Sequence, residues 1–166
     1  MCSINASRRL TAYTRIGLKK LYETAVYRID APGGSILVQI DAAKRPYAGP
    51  RRIRPGHWTA DDPRASKLFP IGADSAAIVT ADNPYSRHRA ATFNAAAHHR
   101  LILRVRKSGH RFLHAAGIDV SGRWPPEPGL CILGCSLRHA CDLAAAFGQA
   151  AFVWIERGCG ARVQFT

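Results

Sequence analysis

Apolar residues in the second half of the chain form short blocks separated by polar turns. The block Ala76–Val79 runs directly into Thr80-Ala81-Asp82-Asn83-Pro84, a pattern that predicts a buried strand with an abrupt end. Apolar residues at helical spacing then predict a helix over Ser86–Lys107, in which the Ser86 hydroxyl caps the first turn. The predicted buried face of this helix consists of Ala90, Phe93, Ala97, Leu101 and Val105.

The same blocks predict the other elements of the chain. A short helix is expected over Ile16–Tyr22, followed by a hairpin of Ala25–Ile29 and Ser35–Ile40 around a Pro-Gly turn. A second long helix is expected after Ser136, which caps it, and Gly148 ends it. The remaining predicted strands are Arg111–Ala116, Leu130–Gly134, Ala150–Ile155 and Ala161–Phe165.

The order of these elements predicts the fold class. From Ala76 the order is β-α-β-β-α-β, which is the split β-α-β pattern of ferredoxin-like folds. We therefore expect an α+β two-layer sandwich, preceded by a hairpin and followed by an extra strand, with both helices on one side of the sheet. In this arrangement we expect the strand at Ala76 to be central, with one antiparallel and one parallel neighbour.

The length of 166 residues fits one domain. Residues 1–17 contain three arginines and no acid, so they are either a disordered basic arm or the start of the first helix. Residues 18–166 form the predicted domain. Within it, residues 41–70 hold five of the ten prolines and a basic run, which predicts a long Pro/Arg-rich loop that is either a functional flap or a disordered insert.

The net charge of +13 changes this picture by favouring an anionic partner, namely nucleic acid, a nucleotide or an acidic protein. An arginine-rich proteome would explain the charge equally well. Within the loop, Arg51, Arg52 and Arg54 are candidates for phosphate or acidic-partner contacts, and Trp58 offers a stacking face. The alternative is that the loop is only a solvated basic segment.

Other residue patterns argue against several protein classes. The start of the chain lacks the pattern of a signal peptide, and no run of 18 apolar residues occurs, so we expect a cytoplasmic protein without a membrane partner. The five cysteines have no Cys-x-x-Cys spacing, which favours reduced thiols over a zinc site. We therefore expect no metal and no cofactor.

Four polar motifs occur in a characteristic order along the chain. They are Thr80-Ala81-Asp82-Asn83-Pro84-Tyr85-Ser86, the helix residue Asn94, Trp124-Pro125-Pro126-Glu127-Pro128 and Phe147-Gly148-Gln149. Together they resemble a family of small bacterial proteins catalogued as domain of unknown function 3293, over about residues 18–165. The chain departs from the family pattern at Gly129 and Ala150, and a basic residue usual after the helix asparagine is replaced by Ala97 or His98. The resemblance implies a set of shared positions but no activity.

These motifs define a candidate site. The antiparallel arrangement of neighbouring strands can bring the start of one beside the end of another, so a polar cluster is expected. Its members are the ligand-binding candidates Asn83, Ser86, Asn94, Gln149 and Trp124, with Glu127 as the candidate catalytic acid/base. No nucleophile–base pair accompanies Glu127, so the residues favour a structural role first, binding of a polar or anionic ligand second, and catalysis last.

Overall fold

The computed structural model describes residues 12–32, 34–40, 69, 73–122, 124–157 and 159–166. Within these ranges the protein is an α+β structure with a seven-stranded antiparallel sheet and three α-helices. The α+β class predicted from the sequence is confirmed. The predicted contact residues Arg51, Arg52, Arg54 and Trp58 lie outside the described residues, as do residues 1–11 and most of the loop 41–70.

The helices and strands follow the predicted order. The bounds are α1 Ala12–Thr24, β1 Val26–Ala31, β2 Gly34–Gln39, β3 Ser75–Thr80, α2 Ala91–Lys107, β4 Phe112–Ile118, β5 Glu127–Leu133, α3 Leu137–Ala146, β6 Ala151–Glu156 and β7 Gly160–Phe165. A single 3₁₀ turn, Pro84–Ser86, lies between β3 and α2. The β1–β2 hairpin is confirmed, and Glu127 is the first residue of β5 rather than a loop residue before it.

The sheet order is β2-β1-β4-β5-β3-β6-β7, and every neighbouring pair is antiparallel. Strand β3 lies in the interior of the sheet between β5 and β6, but the expected parallel neighbour is wrong, because both β5 and β6 run opposite to it. The reason lies in the connections. The helical crossover from β3 leads to β4 two positions away, and β5 then returns next to β3 in the reverse direction.

The two faces of the sheet are buried in different ways. Helices α2 and α3 pack on one face, where Leu101 and Leu143 share a core with Val79, Leu130 and Phe152. This confirms the prediction that both helices lie on one side. Burial on both faces explains why the central strands are continuous apolar runs rather than alternating ones.

The other face of the sheet is covered by the sheet itself. Strands β1 and β2 curl over it, so that Ile29 and Val38 belong to the same core as Ile78 and Ile155. Phe69 adds to this core at 3% exposure, and its carbonyl accepts a hydrogen bond from Arg157 Nη2 at 3.1 Å.

Helix α2 begins later than the sequence pattern predicts. Tyr85 and Ser86 have positive φ angles of 59° and 55°, so the chain at Ser86 is not helical. The N-cap position is Ala90, which has no side-chain cap, and the predicted capping role of Ser86 is wrong. Phe93 on the predicted buried stripe is 44% exposed, whereas Ala97, Leu101 and Val105 are buried.

Helix α3 has the predicted ends. The Ser136 side chain accepts a hydrogen bond from the His139 backbone N–H at 3.1 Å. Gly148 follows the helix at φ 68°, a conformation that glycine adopts without steric cost. This turn places Gln149 directly before β6 and beside the polar turn that follows β3.

Candidate functional site

The site forms where the end of β3 meets the starts of β5 and β6. Because both neighbours are antiparallel to β3, Thr80 pairs with Gly129 near the start of β5, and Ile78 pairs with Val153 near the start of β6. The segments that carry Asn83, Glu127 and Gln149 therefore meet at one edge of the sheet. This is the convergence predicted from the sequence, produced by two antiparallel neighbours.

Asn83 lies at the centre of this edge. It is 5% exposed and has a left-handed backbone with φ 48° and ψ 54°, which asparagine tolerates better than most residues. Its side-chain oxygen accepts from the Arg89 backbone N–H at 3.0 Å, and its Nδ2 donates to Glu127 Oε1 at 2.7 Å. Asn83 thus joins the turn after β3, the entry to α2 and the start of β5.

Asn94 holds Asn83 from the first turn of α2. Its Oδ1 accepts from the Asn83 backbone N–H, and its Nδ2 donates to Asn83 Oδ1, both at 3.1 Å. Asn94 does not line the cavity described below, so it acts on the turn. These contacts provide the structural role that the sequence favours over ligand binding for this group of residues.

Glu127 is held by two donors on the same oxygen. Besides Asn83, the indole Nε1 of Trp124 donates to Glu127 Oε1 at 2.7 Å. The Trp124 ring packs against the His88 ring with 3.9 Å between centroids. Because charge-assisted hydrogen bonds of this length are strong, the carboxylate has a fixed orientation.

Gln149 and Asp82 are linked through the backbone. Gln149 Nε2 donates to the Asp82 carbonyl at 2.8 Å, and the Asp82 backbone N–H donates to Thr80 Oγ1 at 3.1 Å. The same threonine hydroxyl donates to the Pro128 carbonyl at 2.9 Å. These bonds join the ends of β3, β5 and β6.

A cavity of about 540 Å³ opens beside this network. The predicted site residues Asn83, Ser86, Trp124, Glu127 and Gln149 all line it, together with Asp82 and Asp119. Its apolar and backbone surface comes from Leu21, Tyr22, Ala25, Tyr27, Ile78, Thr80, Gly117, Ile118, Gly129, Ala151 and Phe152.

Helix α1 and strand β1 supply an aromatic wall of the cavity. Tyr22 OH donates to the Ala151 carbonyl at 2.9 Å, and Tyr27 OH donates to the Tyr22 carbonyl at 3.1 Å. Burial raises the pKa of both phenols, and the negative charge of Glu127 raises it further. Both groups therefore remain neutral donors at physiological pH.

Asp82 is the electrostatically unusual residue of the site. Its side chain is 8% exposed, and its Oδ1 is buried without a hydrogen-bond partner among the described residues. The pKa of Asp82 is raised from 3.8 to about 6, mainly by burial and to a smaller extent by repulsion from the negative charge of Glu127. Of the described residues that line the cavity, three are acidic and none is basic.

Sequence reasoning did not assign four of the ionisable residues that line this cavity: Tyr22, Tyr27, Asp82 and Asp119. Asp82 had a local signal, since it lies inside the polar turn beside Asn83. The two tyrosines lie in the stretch Leu21-Tyr22…Tyr27, which resembles the usual start of the family. No local pattern placed them in this cavity, because Tyr22 contacts Ala151 across 129 positions of the chain.

Other chemical sites receive no support from the described part of the chain. It contains no group of three or more His, Cys, Asp or Glu side chains able to hold a metal ion. The cysteines in it, Cys131, Cys135, Cys141 and Cys159, are free thiols. None of its helices has the length and apolar character needed to cross a bilayer.

Part of the chain matches a known protein family. Residues 79–152 match the sequence model of a family described as "Protein of unknown function (DUF3293)". The resemblance predicted from the motifs is confirmed over this segment, which contains Asn83, Asn94, Glu127 and Gln149. No curated protein and no solved structure matches the chain.

Proposed function

We propose that this protein binds a small organic molecule in the cavity at the end of β3. The observation that carries the proposal is the cavity of about 540 Å³, in which the motif residues Asn83, Trp124, Glu127 and Gln149 meet an apolar wall. Small-molecule sites are typically concave, mostly apolar and a few hundred cubic ångströms in volume, with a small number of fixed polar groups. The carboxyl group of Asp82, whose pKa is raised to about 6, is a further feature typical of functional sites.

The charges of the cavity favour a ligand without a negative charge. The sequence predicted a polar or anionic ligand such as a nucleotide, because the whole chain is basic. In contrast, the acidic side chains Asp82 and Glu127 line the cavity. An anion placed beside them would be repelled at close range. A neutral or cationic polar ligand therefore fits the lining better than a nucleotide does.

A fragment-binding experiment tests this proposal. In saturation-transfer NMR, a set of small aromatic fragments should bind the wild-type protein, and Ala25→Phe should abolish binding because Ala25 lines the cavity. Ala95→Phe is the matched control, since Ala95 is exposed on α2 and does not line the cavity. Both variants are first checked for wild-type thermal unfolding. Absence of binding to the wild type, or equal binding by a folded Ala25→Phe variant, would refute the proposal.

Acid–base catalysis is a second candidate. A carboxyl group with a pKa of about 6, as in Asp82, can give and take a proton near neutral pH, and Glu127 is oriented beside it. In this hypothesis Glu127, the predicted catalytic residue, acts with Asp82 as an acid/base pair. A substrate found through the binding experiment would be turned over by the wild type. Asp82→Asn and Glu127→Gln should each reduce turnover by about 100-fold or more at saturating substrate.

Contact with nucleic acid or an acidic protein through Arg51, Arg52, Arg54 and Trp58 stays a separate proposal. It rests on the basic run and on the net charge of +13. Heparin retention that falls steeply with salt, and that is lost when the three arginines are replaced by serine, would support it. Retention that is unchanged in the triple variant would contradict it.

The four strands around the site also suggest a fold assignment. Their order, β4-β5-β3-β6, with α2 after β3 and α3 after β5, supports a ferredoxin-like split β-α-β core, which we retain as a proposal.

A further inference from the structure

We infer that the ligand of this cavity is an organic cation, and that its ammonium group pairs with the carboxylate of Asp82. The inference rests on the proposed function, because it names the class of ligand that the cavity takes. Three independent features of the lining carry it: an unpartnered buried oxygen, a fixed second carboxylate and an aromatic wall.

The unpartnered oxygen is Asp82 Oδ1. The residue is 8% exposed, lines the cavity and receives no hydrogen bond at this atom from the described residues. A buried polar atom without a partner is costly, and a buried charge without one is more so. A ligand that donates a hydrogen bond and carries a positive charge would remove both costs at once.

The second carboxylate faces the same cavity in a fixed orientation. Glu127 Oε1 accepts from Asn83 and Trp124, whereas Oε2 of the same group accepts no hydrogen bond from the described residues. The repulsion from Glu127 contributes to the raised pKa of Asp82, so the two acids interact electrostatically. A cation bound near the two carboxylates would offset their mutual repulsion and favour the ionised form of Asp82.

The aromatic side chains that line the cavity suit both the hydrocarbon part and the positive charge of such a ligand. Tyr22, Tyr27, Trp124 and Phe152 line the cavity. Aromatic faces attract cations, with an energy of about 0.5–2 kcal/mol per contact that is larger where water is excluded. A metal cation fits less well, because the described residues contain no group of three ligating side chains.

The net charge of the chain and the proposed charge preference of the cavity predict opposite ligands. At +13 the protein as a whole attracts anions, so a preference of this cavity for cations must come from local groups. At about 0.15 M salt the long-range attraction is screened beyond about 8 Å, whereas contacts inside the cavity are not.

Three probes with the same aromatic ring test the inference: 2-phenylethylamine, 2-phenylethanol and phenylacetate. At pH 7.5 and 0.15 M salt we expect the amine to bind at least about tenfold more tightly than the acid, measured by titration of NMR shifts or calorimetry. Asp82→Asn should weaken amine binding about tenfold or more and leave 2-phenylethanol within about twofold. Asp142→Asn is the control, because Asp142 is an exposed carboxylate on α3 outside the cavity.

The outcomes separate this inference from the proposed function. If phenylacetate or 2-phenylethanol binds as tightly as the amine, the cavity binds small molecules but the cation preference is wrong. If Asp82→Asn is folded and binds the amine like the wild type, the pairing with Asp82 is wrong. If none of the three probes binds and the fragment set also fails to bind, the cation preference and the proposed small-molecule function are both wrong.

Discussion

Asn83 and Asn94 hydrogen-bond to each other in both directions, with Asn94 Oδ1 accepting from the Asn83 backbone N–H and Asn94 Nδ2 donating to Asn83 Oδ1. This pair fixes the left-handed turn that follows β3 to the first turn of α2. It leaves Asn83 Nδ2 directed at Glu127, so the orientation of the carboxylate depends on a helix residue that does not line the cavity.

Asn94→Ala is therefore expected to destabilise the protein. The change removes both hydrogen bonds between Asn94 and Asn83 and leaves the Asn83 backbone N–H without its partner. An unsatisfied buried group costs about 1–3 kcal/mol, which exceeds the gain in helix propensity of less than about 1 kcal/mol. Urea unfolding measures the difference. Arg100→Ala, an exposed change on the same helix, is the control and should stay within about 0.5 kcal/mol of the wild type. Equal stability of both variants would contradict the bracing role of Asn94.

The loss of stability on replacing Glu127 should depend on whether the new side chain can still accept a hydrogen bond. Glu127→Gln keeps an oxygen that can accept from Asn83 Nδ2 and Trp124 Nε1, so the free energy of unfolding should fall by less than about 1 kcal/mol. Glu127→Ala leaves both donors unpaired, and we expect a loss of about 1–3 kcal/mol. Chemical unfolding with near-UV circular dichroism follows stability and the environment of Trp124. A loss for Gln as large as that for Ala would mean that the charge itself stabilises the fold.

The raised pKa of Asp82 predicts a specific pH dependence of stability. The folded state holds the Asp82 proton up to about pH 6, whereas the unfolded chain releases it near 3.8. The free energy of unfolding contributed by this group therefore falls as pH rises from about 4 to 6, by no more than about 3 kcal/mol, and stays lower above that range.

Asp82→Asn should remove this fall. Relative to the wild type, the variant should gain about 1–3 kcal/mol between pH 4 and pH 8, measured by urea unfolding at each pH. Asp142→Asn changes an exposed carboxylate and should follow the wild-type curve. If the Asp82 variant and the wild type show the same difference between the two pH values, the folded-state pKa of Asp82 is ordinary.

Two glycines that follow helices give a matched pair for the packing of the polar turn. Gly109 and Gly148 have similar φ angles of 76° and 68°. A Cβ on Gly109 would meet nothing within 4 Å, whereas one on Gly148 would lie 2.9 Å from Pro84 Cβ and 3.1 Å from the Tyr85 ring.

Gly109→Ala should cost about 1–2 kcal/mol from backbone strain, and Gly148→Ala about 1–3 kcal/mol more because it also pushes the Pro84 turn away. Thermal unfolding compares the two variants. Equal losses would mean that the turn can shift without cost.

The sequence by itself determined most of the secondary structure and the polar motifs of the site. Continuous apolar runs identified the buried strands, and Ser136 and Gly148 identified the ends of α3, because these signals depend on local periodicity and backbone preference. The prediction of the start of α2 failed at Ser86, because serine is a residue type that commonly caps helices. There the turn instead donates the Tyr85 N–H to the Gly148 carbonyl at 2.8 Å, a contact from a distant segment.

Only the tertiary structure decided which residues of the motifs contact one another. Asp82 and Gln149 are 67 positions apart, and Asn83 and Glu127 are 44 apart, so no local pattern could predict their contacts. Strand order brings these segments to one edge, and the curled sheet with α1 adds the tyrosines that close the wall. The sequence suggested an anionic partner from total charge. That suggestion stays a prediction. Among the described residues, the fold brings Asp82, Asp119 and Glu127 to the cavity, where burial and proximity rather than net charge set the local electrostatics.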